Sequence, residues 1–472
     1  MTRRALSIAL FAAAPLAAGG THAPLAPEIR QTAQALRERA FAGTEASQWV
    51  AGLTDRVGPR LAGSAGDRQA IAWGLETLEA LGFAKVRAEK VAVKVWQRGG
   101  ESGEVVFPQP QHLALTALGG SVPTPEAGLE AEILEVSSLE ELAARPEAAR
   151  GKIVFFDKKM ERASDMSGYM RAVDVRSKGA SRAAALGAVG VLIRSVGTDH
   201  NRLPHTGGLD YEEGLPRIPA AALSIPDAEL LERLDRSGKP VRVRFTLGCG
   251  DRGTAESANV VGEIPGTRKP EEIVLLGAHL DSWDLGTGAI DDAAGCGIVI
   301  EAARLIWELP RRPARTIRVV LYANEENGLE GAAAYARAHE VELARHVAAL
   351  EADSGTGRPT GFSWLAGPSA EPAIREIAKL LEPVGAGRAS SGGFGGADIS
   401  QLRAAGVPLF SVTQDSSRYF DFHHTANDTF DKIEPEALDR MVAAVATFAY
   451  VAASTPEPFE RVPEALRVLP KF

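Results

Sequence analysis

The chain has 472 residues, 45% of them hydrophobic and 24% charged, and a formal net charge of −9. That length exceeds one ordinary core, so two domains are expected, and the composition is that of a soluble globular protein. The acidic balance weighs against nucleic acid or an anionic membrane as partner, and the cysteines, Cys249 and Cys296, form neither a Cys-x-x-Cys motif nor a disulfide framework.

The opening "MTRRALSIALFAAAPLAAGG" pairs Arg3 and Arg4 with a short apolar run that ends in small residues. A secretory signal is expected over 1–20, which implies an exported protein, periplasmic or extracellular. The apolar run is too short to span a bilayer. No later stretch reaches about 18 uninterrupted apolar residues, so no membrane anchor is expected.

Residues 27–82 read as helical, with "GPRLAGS" (58–64) leading into an amphipathic helix that ends at Gly82. The following segment, 84–99, alternates in the manner of a strand. From 112 to 250 the texture changes: short buried strands at 151–157 and 187–193, a small-residue helix at 177–187, and a late strand at 240–247. These elements predict a compact unit inserted at 112–250 between host segments 27–111 and 251–460. In the second host segment, strands at 271–278, 316–323, 346–353 and 406–412 alternate with helices at 292–309 and 331–339. A final helix opens at Pro435, with Leu438, Met441, Val442, Val445, Phe448 and Ala449 as its apolar stripe. The fold class is therefore α/β: a mostly parallel mixed sheet with helices on both faces, plus a smaller inserted α/β unit.

The unusual acidic and histidine positions follow those strands. His279 and Asp281 come after the first, Glu325 and Glu326 after the second, Asp353 after the third, and His423–His424 after the fourth; Asp291 opens the next helix. In such sheets the site lies beyond the carboxyl ends of the strands. Singly, each residue has a plainer reading as a helix cap, a solvated surface pair or a polar turn. Together they converge on one sheet edge, and clustered carboxylates require cations. Imidazole with carboxylate is a ligand set suited to zinc. Asp291, Glu326, Asp353 and a bridging hydroxide would balance two divalent ions, whereas one ion would leave negative charge uncompensated.

The motifs "GAHLDSWDLGTGAIDD", "ANEENG", "EADSG" and "FHHTANDT" resemble those of the co-catalytic zinc exopeptidases. "HLDSWD", "PHTGG" and the inserted segment, which is similar to a protease-associated domain, most resemble the carboxypeptidase Q (plasma glutamate carboxypeptidase) group. The resemblance implies two Zn2+ per chain. Asp291 would bridge them, His279 and Asp353 would complete one ion, Glu326 and His424 the other, and Glu325 would be general base to a metal-bridging hydroxide. It also implies a peptide substrate and a homodimer. Asp281 is a candidate to orient His279, and His423 to donate to an oxyanion. His205 is a candidate to reach the site from the insert. The glycine-rich loop "SSGGFGGADIS" with Asp398 could cradle a substrate carboxylate on its backbone N–H groups, or could be a plain surface loop. Dipeptides or short peptides are the expected substrates. The alternatives are a zinc aminopeptidase acting on longer peptides, a one-zinc glutaminyl cyclase, and a non-catalytic binding protein of transferrin-receptor-like architecture, against which the full ligand set stands.

Overall fold

The computed structural model describes residues 25–468; the expected signal, 1–20, lies outside them. Two eight-stranded sheets organise the chain. In the first, the strands run in the order Ala84–Gln97, Gly250–Ile264, Arg315–Tyr322, Lys269–His279, His346–Glu351, Leu409–Gln414, Pro359–Leu365 and Ala389–Ser391. Its four central members, from Arg315–Tyr322 to Leu409–Gln414, are parallel. They are the four strands expected to carry the site residues. Antiparallel pairs flank them on both sides, so the sheet is mixed.

Both faces of this sheet are covered, and the alternation of side chains along a strand shows why. Val274, Leu276 and Ala278 pack into one apolar cluster with helices Ala294–Trp307 and Pro435–Ser454. Leu275, between them in sequence, joins Val320, Tyr322 and Tyr335 in a cluster on the opposite face. Helix Pro435–Ser454 is long and apolar enough to cross a membrane, yet it is almost wholly buried here, the central core helix of this domain. The N-terminal helices Pro27–Phe41 and Ala46–Arg56 pack beside it.

The second sheet runs from Glu101 to Leu247 and stands on an antiparallel two-stranded arm, paired from Ala84↔Glu263 to Gln97↔Gly250. It begins ahead of the expected boundary at 112, because strand Glu101–Phe107 pairs with the late strand Arg242–Leu247. In the sequence that strand is separated from the arm only by a short glycine turn, so the two read as one stretch. Cys249 and Cys296 are buried free thiols, donating to the carbonyls of Ser121 and His279 respectively.

Candidate metal centre

Strand Lys269–His279 ends in His279, and the loop that follows is held by a buried cation. Arg60, wholly buried, donates from Nε to the Leu280 carbonyl at 2.6 Å, from Nη1 to Thr287 at 2.6 Å and from Nη2 to Gly288 at 2.9 Å. Asp428 Oδ1 accepts the N–H groups of Ala289 and Ile290 at 2.8 and 2.7 Å. These two residues shape the turn that presents Asp291. The expected helix start at 292 is not helical: Asp291 and Asp292 have φ of −134° and −135°, and the regular helix begins at Ala294. The departure separates the neighbouring aspartates. Asp292 accepts the N–H of His279 at 3.1 Å and of Gly295 at 2.9 Å, so it caps. Asp291 is left facing the histidines.

Its two oxygens face different partners. Oδ1 lies 3.1 Å from His279 Nε2, which is also 3.6 Å from Asp353 Oδ1. Oδ2 lies 3.2 Å from His424 Nε2, which is 3.0 Å from Glu326 Oε2. The five residues expected as ligands are thus brought together, with Asp291 between two groups.

The hydrogen bonds test whether cations fit. His279 Nδ1 donates to the Asp281 carbonyl at 3.1 Å, and His424 Nδ1 donates to the Thr206 carbonyl at 3.4 Å. A carbonyl only accepts, so each Nδ1 carries a proton, and each Nε2 faces two carboxylates. That concentration of negative charge draws in a positive one, a proton on Nε2 or a metal cation in its place, and the titration tendencies show the pull. Against the effect of burial, Glu326 and Asp291 push His424 up to about 9. His279, also opposed by burial, is raised well above its ordinary value by Asp281, Asp291 and Asp353. Oxygen and imidazole donors grouped around Asp291 fit a borderline divalent metal such as zinc.

Asp281 occupies a different place from the one expected. Its carboxylate is 3.7 Å from His279 Nδ1, too long for a hydrogen bond. Instead Oδ1 accepts the N–H of Glu325 at 3.0 Å and Oδ2 that of Glu326 at 3.4 Å. It orients the imidazole through its backbone carbonyl alone. Glu325 feels the same cluster electrostatically, its carboxyl raised well above the ordinary range by burial and by Asp353 and Glu326. His423 stacks on His424 with ring centroids 3.5 Å apart and reaches Asp291 Oδ2 at 3.5 Å. Burial and His424 hold its pKa well below the ordinary value.

The glycine-loop expectation requires correction. The N–H groups of Asp398 and Ile399 are taken by the buried Glu351 carboxylate, at 3.3 and 2.7 Å, so they cannot cradle a substrate. Asp398 itself is buried with neither oxygen hydrogen-bonded. Burial and Glu351 raise its carboxyl well above the usual range. His205 does approach from the insert, as structure rather than ligand. It joins the His423 carbonyl at 2.8 Å to Asp199 Oδ1 at 2.8 Å. Beside it, Thr206 N–H donates to the His424 carbonyl, and Arg98 grips Asp284 with two nitrogens. Arg60 and Asp428 lie inside the quoted motifs, but nothing in the motifs marks them as the groups that hold the loop; Asp292 has the capping role open to an aspartate at a helix start.

The description "Peptidase family M28" matches residues 259–449. Carboxypeptidase Q of Homo sapiens is 38% identical over 409 residues, 87% of this chain and 85% of that protein. Mouse carboxypeptidase Q is also 38% identical, with 86% of its length covered. The crystal structure of a peptidase M28 precursor from Shewanella amazonensis aligns with a TM-score of 0.90 at 46% identity, over 92% of this chain and 99% of that one. A zinc aminopeptidase from Bacillus subtilis shares the fold, with a TM-score of 0.64 at 20% identity over 89% of this chain and 98% of its own.

Proposed function

Because this chain belongs to peptidase family M28 and is a metallo-exopeptidase, we propose that it hydrolyses dipeptides or short peptides at a pair of zinc ions. One ion would be held by His279, Asp353 and Asp291, the other by Asp291, Glu326 and His424. The carrying observation is the division of the Asp291 carboxylate between two imidazoles, each of which also faces a second carboxylate. When bound, such ions polarise the scissile carbonyl and make water acidic enough to attack near neutral pH.

The chain's own groups do the rest. Glu325 takes the proton of the attacking water and passes it to the leaving amine. Asp281 holds the Glu325 and Glu326 backbones, so the base and its metal-binding neighbour keep their places. Trp283, packed between Gly119 of the insert and the His424 ring, walls off one side from water.

In this reading the unit around 112–250 is a protease-associated domain, the first 20 residues direct export, and the chain forms a homodimer. A complete ligand set with a base disfavours the non-catalytic reading. The fold likeness to a zinc aminopeptidase supports the alternative of action on longer peptides from the amino end. Metal analysis with Glu325→Gln tests the proposal. We expect two zinc ions per chain in both proteins, loss of activity on chelation with recovery on zinc, and a fall in kcat of at least about 10²-fold in the variant. One ion at saturation, or wild-type turnover by Glu325→Gln, overturns it.

A further inference from the structure

The two imidazoles of the centre are held from different sides. His279 is fixed within its own domain, its Nδ1 donating to the Asp281 carbonyl two residues on. His424 is held from outside. Its Nδ1 donates to the Thr206 carbonyl, and its own carbonyl accepts the Thr206 N–H at 3.0 Å, so one residue of the insert brackets it reciprocally. The neighbouring carbonyls are taken in the same way, that of His423 by His205 Nδ1 at 2.8 Å and that of Phe420 by the Thr198 N–H at 3.0 Å. Among the described residues, the host's own backbone bonds to 416–424 are turns closed within that loop.

This support matters because His424 has φ of +62°, in the left-handed region. A residue with a Cβ stays there only where its surroundings over-determine it. The insert's side of the contact is well anchored. The His205 N–H donates to Ser195 Oγ at 2.8 Å, the Thr206 hydroxyl donates to the Ala117 carbonyl at 2.9 Å, and Asp199 Oδ1 lies 2.8 Å from His205 Nε2. The His205 side chain is 1% exposed, so water does not compete for its bond to His423.

We propose that His205 is a positioning residue of the metal centre, and that the ion assigned to Asp291, Glu326 and His424 is held tightly only while the insert is docked; the inference rests on the two-zinc reading above. A carbonyl only accepts, so His205 Nδ1 carries a proton, and Asp199 on the far side of the ring keeps that face turned to His423. The His423 carbonyl belongs to the planar peptide that joins 423 to 424. Fixing that plane fixes the direction in which the His424 side chain leaves the backbone, and hence its approach to Glu326 and Asp291. The other group, His279 with Asp353, has no such dependence, because both residues stand on host strands and His279 is oriented from the host.

The test titrates zinc into metal-free protein by calorimetry and follows amide hydrogen exchange over 419–425 in the same metal-free samples. Wild type is expected to show two uptake events, and His424→Ala identifies the one that belongs to His424. His205→Ala is expected to weaken that event roughly 10- to 100-fold and leave the other unchanged. It is also expected to speed exchange over 419–425 about tenfold. His205→Asn should restore both readouts, because its amide nitrogen stands about where the imidazole Nδ1 does and still donates to His423. Asp199→Ala keeps the ring but removes its second anchor; it is expected to lie between the two and serves if His205→Ala does not fold. Equal weakening of both events overturns the proposal, as does His205→Asn behaving like His205→Ala, or exchange over 419–425 at the wild-type level. Uptake of a single ion by wild type would count against the two-zinc reading, while the exchange would still report on His205 by itself.

Discussion

The Asp281 carboxylate accepts the backbone N–H of Glu325 at 3.0 Å, so a residue at the end of one strand sets the position of a residue at the end of its parallel neighbour. The second oxygen reaches the Glu326 N–H, and the Asp281 carbonyl holds His279 Nδ1. One aspartate thereby ties the His279 imidazole on one strand to Glu325 and Glu326 on the next, the base and a ligand of the proposed centre.

Asp281→Ala should therefore lower kcat by roughly 10- to 100-fold with the zinc content retained. The carbonyl that orients His279 survives the substitution, whereas the two N–H groups lose their acceptor. Steady-state kinetics with metal analysis of the same sample checks this. Loss of zinc with kcat per bound metal unchanged would show that the carboxylate serves His279 instead.

Arg60→Met should destabilise the protein by about 3–5 kcal/mol, because it strands the buried carbonyls of Leu280, Thr287 and Gly288 without donors. Zinc affinity should fall with it, since the loop that presents Asp291 is loosened. Denaturant midpoints of metal-free protein and zinc titrations separate the two effects. Unchanged stability would mean that water replaces the guanidinium in the loop.

His346, buried at the start of the strand that delivers Asp353, predicts a pH dependence away from the metals. Its folded pKa is lowered to about 4, first by burial and also by Arg318, although the Glu342 carbonyl raises it. The unfolded state binds a proton below about 6.5 that the folded state refuses. Its contribution is thus present above about 6.5 and is lost as pH falls towards 4, roughly 3 kcal/mol in all. His346→Gln should lose less stability over that window than wild type. Parallel loss in both proteins would assign the acid sensitivity to other groups.

Much of this was legible beforehand because strand ends are punctuated in the sequence. Each buried run that stops at an acid or a histidine marks a place where the backbone leaves the sheet, so His279, Glu325, Glu326, Asp353 and His424 could be placed on one edge. The insert was legible only in outline. Strand Glu101–Phe107 is joined to the arm by glycines, and no periodicity marks where one sheet ends and the other begins. The glycine-rich loop left two readings open, and what decides between them at its helix start is Glu351, near in space and 47 residues away from Asp398, which takes the N–H groups of Asp398 and Ile399.

By itself the sequence determined the alternation of strands and helices, the candidate ligands and the edge where they gather, because hydrophobic period and side-chain chemistry are local properties. Which oxygen of Asp291 faces which imidazole, and that Asp281 serves Glu325 through its carboxylate, were decided only by the tertiary structure. Hydrogen bonds and ion contacts act over a few ångströms, and the distances that matter to them do not exist until the chain has closed.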